Sequence, residues 1–514
     1  MRISSLRFGA NLVLLIAASV SYAQPVPGGK NQEIKDGDKK KQPKFEEIKF
    51  PAIPTILGKE SRPIDLAAAL QLAGVQNPQI LLARERVLEA VAMRQLAAAQ
   101  FLPSINVGTN FDHHLGTLQQ SNGNMLKVNR DSLYVGLGAN AVGAGTVNIP
   151  GIVWSGNVSA TIYRSLVSQQ VVRQRQFASD AVRNEILLQV AQSYLELLRA
   201  EGRRAIAARN RADALEVARI TASYAKTGQG RQADADRSAT ELDQRNNDLL
   251  QAENDLLAAS ARLSQVLSLN PSERLQPIDG WVVPHSIVPE PIPLPELVAI
   301  AITQRPELQE RQAAIRAALL ELQNAKVLPF SPNVILGYSA GGFGGGSNLV
   351  ADATPPQSRF SNLKERQDFD VVVFWSVRNL GVGNVAYIRL AQSNVRQNEL
   401  QNIEVFDRVR AEVVLGYAKT HARFAQIETS ERAVQTSTRA FEQDLLRTTN
   451  REGLPIEVLD SIRLLGRSRY AYLDAIVEYN RAHFELYVAL GQPPADTLAR
   501  PVPSKLVPPP ILKK

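Results

Sequence analysis

Two periodicities share this chain. Residues 104–111 alternate strictly, with Ile105, Val107, Thr109 and Phe111 on one side and Ser104, Asn106, Gly108 and Asn110 on the other. Residues 333–338 repeat the pattern, setting Val334, Leu336 and Tyr338 against Asn333, Ile335 and Gly337. Two further alternating runs precede long stretches of helical character. One lies at 152–163, where Val158, Ala160 and Ile162 oppose Asn157, Ser159 and Thr161. The other lies at 369–377, where Phe369, Val371, Val373, Trp375 and Val377 share a face. Period two over about 8–11 residues suits a tilted strand crossing a bilayer, one face apolar for lipid and the other small and polar. Residues 133–141 also read as a strand, which leaves the second crossing with two candidate positions. Each run taken singly equally suits a half-buried hairpin of a soluble protein.

The second periodicity is helical. No proline occurs in 151–270 or in 357–454, and Ala, Leu, Gln, Glu and Arg dominate both stretches. Ile186, Val190, Tyr194 and Leu197 recur at helical spacing, as do Val409, Val413 and Tyr417. Breaks are expected at 227–230 (Thr-Gly-Gln-Gly) and at 450–455 (Asn-Arg-Glu-Gly-Leu-Pro). Helices of about 60 residues follow, each about 90 Å long. Such lengths belong to coiled coils and helical assemblies rather than to globular domains. A periplasmic coiled-coil rod or adaptor is therefore the alternative to a membrane protein.

The two patterns occur twice in the same order. "NPQILLARERVLEA" from Asn77 is echoed by "RPELQERQAAIRAA" from Arg305, each with a proline one turn into an apolar-periodic run. Pro78 matches Pro306, Pro103 matches Pro332, and Gly108 matches Gly337. The repeats run over 64–270 and 295–492, joined by a linker at 271–294. Each supplies a strand hairpin and a pair of helices whose edges need partners. About four membrane strands per chain are too few to close a barrel, whereas three chains supply about twelve.

The N-terminus places the chain outside the cytoplasm. Arg2 and Arg7 precede a short apolar core at 12–20, and Ser21-Tyr-Ala23 offers a cleavage site, so residues 1–23 read as a signal peptide. No later run approaches about 18 uninterrupted apolar residues, which argues against membrane-spanning helices. With no cysteine, the chain can hold neither disulfides nor thiolate metal sites, nor a lipid on an N-terminal cysteine. The net charge of +8 owes much to its ends, such as the lysines at 39–41 and 513–514. It reads as solvated tails (24–63 and 493–514) rather than a nucleic-acid surface.

On the ordered set "LAGVQNPQILLARERV", "AITQRPELQERQAAI", "LPSINVG", "NDLLQAENDLLAASARLSQVLSLNP" and "GLPIEVLDSIRLLGRSRYAYLDAIVEYNRAHFELYVALGQPP", residues 64–494 resemble the outer-membrane efflux protein family, the TolC-like channels. The resemblance implies an α+β membrane protein with internal duplication. In it, a homotrimer forms a twelve-stranded transmembrane β-barrel, four strands per chain, which continues into a long α-helical barrel. It also implies a passive duct in the outer membrane of a Gram-negative-type bacterium, extending into the periplasm. The implied partners are a periplasmic adaptor and an inner-membrane transporter, in an efflux or type I secretion system. No cofactor and no enzymatic chemistry are expected.

The same resemblance points to the helix tips as the gate. Acidic residues near the start of the helix after the second turn line the closed entrance in the family, and Glu457 and Asp460 stand there. Their i, i+3 spacing puts them on one helix face, and threefold symmetry would make a carboxylate ring that favours cations. Glu457 beside Pro455 equally suits a helix-start carboxylate facing the helix dipole. Asp234 matches Glu457 in the first repeat and fits the acidic member of the contacts that hold the gate shut. Arg451 or Arg463 is the candidate basic partner. Trp154 and Trp375 are candidates for an aromatic girdle at the membrane boundary, although ordinary packing also accounts for them. The run 341–346 (Gly-Gly-Phe-Gly-Gly-Gly) reads as an extracellular loop, not a phosphate loop, because no Lys-Ser/Thr follows. His113 and His114 at a strand end are not expected to bind metal.

Overall fold

A computed structural model describes residues 54–58, 60–139, 148–279, 282–289, 292–347 and 363–494. All belong to one compact unit, Ile48–Lys514. The expected signal peptide and most of both tails lie outside the described residues.

The elements fall in two successive sets. The first comprises β1 (Arg62–Ile64), α1 (Leu66–Gln76), α2 (Pro78–Ala99), β2 (Ser104–Ile105), β3 (Val107–Gln119), β4 (Met125–Ala139), β5 (Ile149–Pro150), β6 (Ile152–Asn157), α3 (Val158–Lys226) and α4 (Gln232–Leu267). After β7 (Leu275–Pro277) come α5 (Leu294–Gln304), α6 (Pro306–Val327), β8 (Asn333–Ser347), β9 (Lys364–Phe374), α7 (Val382–Thr449) and α8 (Pro455–Ala489). α3 and α7 run for 69 and 68 residues, about 100 Å each. The breaks fall where glycine and proline predict them, before Gln232 and before Pro455.

The sheet is antiparallel. β3 pairs β4 along its length, and β4 pairs the C-terminal half of β8. β6 pairs the N-terminal half of β8, and β9 lies on the far side of β8. β4 and β6 thus lie end to end against one strand, and β2 continues β3 by pairing with β6. The sheet is four strand positions wide, with β3 and β9 at its edges. Register fixes the faces. One face carries Val107, Thr109, Phe111, Leu133, Val135, Leu137, Ile152, Trp154, Leu336, Phe369, Val371 and Val373. Val107 is 79% exposed and Phe369 71%. The opposite face carries Asn110, Asp112, Ser132, Ser339, Asp368 and Asp370.

Three strand expectations need correction. Residues 158–163 are helical, not strand: the Asn157 carboxamide oxygen accepts a hydrogen bond from Ala160 N at 3.1 Å and starts α3, overriding the alternation. β9 stops at Phe374, so Trp375 and Val377 lie beyond it. Left-handed Asn379, Leu380 and Gly381 then turn the chain into α7. The glycine run 341–346 is not a loop but the C-terminal half of β8, hydrogen-bonded to β4 and, through Phe343, to β9. Glycine there accommodates close neighbours: a Cβ on Gly341 would lie 2.6 Å from Val135 O and 2.8 Å from the Tyr134 ring. Residues 133–139 do form strand, within β4.

Next to the sheet, α2 packs on α3, α3 on α6, and α6 on α7. Farther along, α4 packs on α3, α3 on α8, and α8 on α7. The largest core joins α1, α3, α4 and α8 around Leu70, Tyr194, Leu197, Leu256, Leu263, Val477 and Phe484. A second joins α5, α7 and α8 around Leu297, Val409, Val413 and Leu486. Along the first core, α3 and α8 also meet through ion pairs. Arg481 binds Glu196, Arg199 binds Glu478, and Arg203 binds Asp474 at 2.8 Å. Burial pushes the Glu478 carboxyl up, but Arg199, Arg481 and Arg423 together bring it below its ordinary value.

Candidate functional site at the helix-pair tips

Each helix pair ends in a five-residue turn, and the two turns are built alike. In the first, Gly228 is left-handed and the N–H groups of Gln229 and Gly230 both donate to Tyr224 O at 2.9 Å. In the second, Arg451 is left-handed and the N–H groups of Glu452 and Gly453 donate to Arg447 O at 2.8 and 3.2 Å. A left-handed arginine is unfavourable where glycine is free. Its guanidinium lies over the Tyr224 ring, 5.5 Å from the centroid. Tyr224 also donates its hydroxyl proton to Thr449 O at 2.7 Å, so it holds the two turns together. Sequence reading missed Tyr224; its position three residues before the break was the available signal.

The structure separates Glu457 from Asp460. Glu457 folds back on the helix start: its carboxylate accepts from Leu454 N at 3.3 Å and lies 3.6 Å from Arg447. Asp460 points outward, 75% exposed, with Arg463 4.0 Å away. Asp234 pairs with Arg237 one turn along its own helix, at 3.2 Å. Arg463 reaches from α8 to α4, where its guanidinium donates to Glu241 at 2.8 Å. Glu241, 1% exposed, also accepts from Arg245 at 2.6 and 2.9 Å. Two guanidinium groups on one buried carboxylate supply the compensation that burial demands. Glu241 and Arg245 were also absent from the sequence reading, since nothing local marks a buried carboxylate on a polar helix. Beneath the turns all four helices share a small core: Ala214, Val217, Leu242, Phe441, Val458, Leu459, Ile462 and Leu465. Ser461 bonds Asp444 and joins α8 to α7.

At the junction of sheet and helices the two tryptophans are matched. The Trp154 indole N–H donates to Gln100 O at 2.7 Å, and that of Trp375 to Phe330 O at 3.2 Å. Trp154, within β6, bonds the residue that ends α2, and Trp375, just past β9, bonds the short turn that follows α6. His113 Nδ1 lies 2.7 Å from Asp131. Among the described residues no three His, Asp or Glu side chains converge as metal ligands, and no helix is long and apolar enough to cross a membrane.

The architecture has counterparts among solved structures. The outer-membrane channel OprN aligns with 83% of this chain and 89% of its own, at 17% identity and a TM-score of 0.68. CusC aligns over 87% and 99%, at 18% identity and 0.66. The Campylobacter jejuni outer membrane channel CmeC aligns over 84% and 88%, at 13% identity and 0.68. No protein-family model and no curated protein sequence matches the chain. The fold is thus that of the TolC-like outer-membrane channels, as the sequence resemblance implied.

Proposed function

We propose that the protein is the outer-membrane duct of a tripartite efflux or type I secretion system. Three copies pair β3 of one chain with β9 of the next and close a twelve-stranded barrel, since a sheet four strands wide cannot close alone. The exposed apolar face contacts lipid, and the polar face lines the lumen. Trp154 and Trp375 sit at the membrane–periplasm boundary, their indole N–H groups satisfied and their rings in the interfacial layer. A periplasmic adaptor and an inner-membrane transporter complete the path, and the duct itself makes and breaks no covalent bond.

The observation that carries this reading is the apolar, exposed face fixed by register, joined to a fold shared with outer-membrane channels over more than four-fifths of the chain. A periplasmic rod leaves that face without an environment. At the tips, the exposed Asp460 carboxylates of three chains form the constriction, and Glu457 contributes when it releases Arg447. Contacts of Arg451 with Tyr224 and of Arg463 with Glu241 hold the pairs closed, whereas the pair of Asp234 with Arg237 stays within its own helix. Purified protein in planar bilayers should show low conductance, reduced further by multivalent cations from the periplasmic side. Glu457→Ala with Asp460→Ala should relieve that block and leave assembly intact. Unchanged cation sensitivity in the double variant makes these carboxylates helix-start residues only.

A further inference from the structure

Three of the five histidines of the chain gather far from the tips. His483 on α8 is 2% exposed, and neither ring nitrogen has a hydrogen-bond partner. With no protein partner on either nitrogen, the buried ring favours its neutral form. Its ring packs edge-on against Tyr479, centroids 4.5 Å apart, and His421 on α7 packs the same way against Tyr417 at 4.3 Å. His421 and His483 line a cavity of about 190 Å³, with Thr420 and the apolar walls Val288, Ile292, Leu297 and Leu486. His285 faces the cluster from the connecting segment, which is pinned to α8 twice: His285 N donates to Asn480 Oδ1 at 2.7 Å, and Asn480 Nδ2 donates to Val283 O at 2.8 Å.

We propose that His285, His421 and His483 form an acid-sensitive clamp, which holds residues 282–289 against α7 and α8 and releases them when His483 takes up a proton. The groups facing His483 argue for a proton rather than a metal. α7 contributes Tyr417 and His421, α8 contributes Tyr479, and the segment contributes His285; no carboxylate lines the cavity. Glu485, two residues along α8, is engaged by Lys419 and Gln192. Protonation therefore places a cation in an apolar pocket beside two groups that can only add positive charge. Burial first, then His285 and His421, lower the His483 pKa to about 4. Burial lowers that of His285 as well. An unfolded histidine titrates near about 6.5. The folded value lies below it, so the clamp is fully stable above pH ~6.5 and weakens as pH falls from there towards about 4. The cluster lies about 40 Å along α8 from Glu457, so the device is separate from the tips and holds whether or not they gate.

The test is hydrogen–deuterium exchange of residues 282–289 in the full-length detergent-solubilised protein at pH 7.5 and 5.0, corrected for intrinsic rates. Exchange should rise about tenfold or more in the wild type at the lower pH. His483→Phe, which keeps the ring packing, should hold its protection at both. Protection independent of pH in the wild type, or lost equally in His483→Phe, overturns the proposal. If His483→Phe does not fold, His421→Gln serves. It removes a neighbour that disfavours the protonated His483 ring and so narrows the gap to the unfolded value; the rise in exchange between pH 7.5 and 5.0 should shrink, and an undiminished rise overturns the clamp.

Discussion

Asn77 and Arg305 show how the duplicated motif works. Each stands before a proline in extended conformation, which leaves its side chain free to reach a neighbouring helix. Asn77 accepts from Gln79 N at 2.9 Å and donates to Val266 O at 2.8 Å, near the end of α4. Arg305 donates to Val488 O at 3.2 Å, near the end of α8, and pairs with Glu307 and Glu412. Asn77 thus satisfies a carbonyl at the end of α4, while Arg305 adds a bond to one at the end of α8 that also accepts from Gly491 N at 2.8 Å. The repeat and its prolines were visible in the sequence. The target carbonyls were not, because they lie 189 and 183 residues away. Asn77→Ala loses the cap and the donor together and should cost about 1–2 kcal/mol of stability. Asn77→Ser, which keeps a capping oxygen and loses the donor to Val266 O without burying a charge, should cost less. Thermal unfolding of the two variants side by side checks the order.

At the scale of elements, the long helices and their breaks were readable because helical period and the absence of proline agree over many residues. The strand boundaries were less so. Alternation continues past Asn157 into a helix because capping is decided by one side chain rather than by pattern. The glycine run failed for a related reason. Glycine marks loops by default, yet in β8 it clears room for the Tyr134 ring and the β4 backbone, both out of view in a local reading. The tip followed the same rule: the turns were found, while Tyr224 and Glu241, which bridge between helices, were not. Gly341→Val places methyl groups against Val135 O and the Tyr134 ring. It should cost about 1–3 kcal/mol and lower the heat resistance of the assembled species on gels. Gly74→Ala, where nothing lies within 4 Å of the added Cβ, is the control and should behave as wild type.

At the scale of the whole molecule, one chain leaves the same kind of surface open throughout. In the sheet the open edges are β3 and β9. Among the helices, α7 carries exposed Leu390, Leu400, Ile403, Leu415 and Phe424, and α2 carries exposed Leu82, Leu88 and Leu96. Two unlike edges on one chain make a head-to-tail contact, which closes into a ring when the rotation allows. Because the chain has no cysteine, that closure can be read directly. A cysteine at Thr109 in β3, combined in turn with one at Phe369, Val371 or Val373 in β9, should under mild oxidation in outer membranes link neighbouring chains in one register. The product expected on a non-reducing gel is a closed three-chain species. Monomers in every combination, or an open ladder of higher polymers, would contradict the trimeric duct.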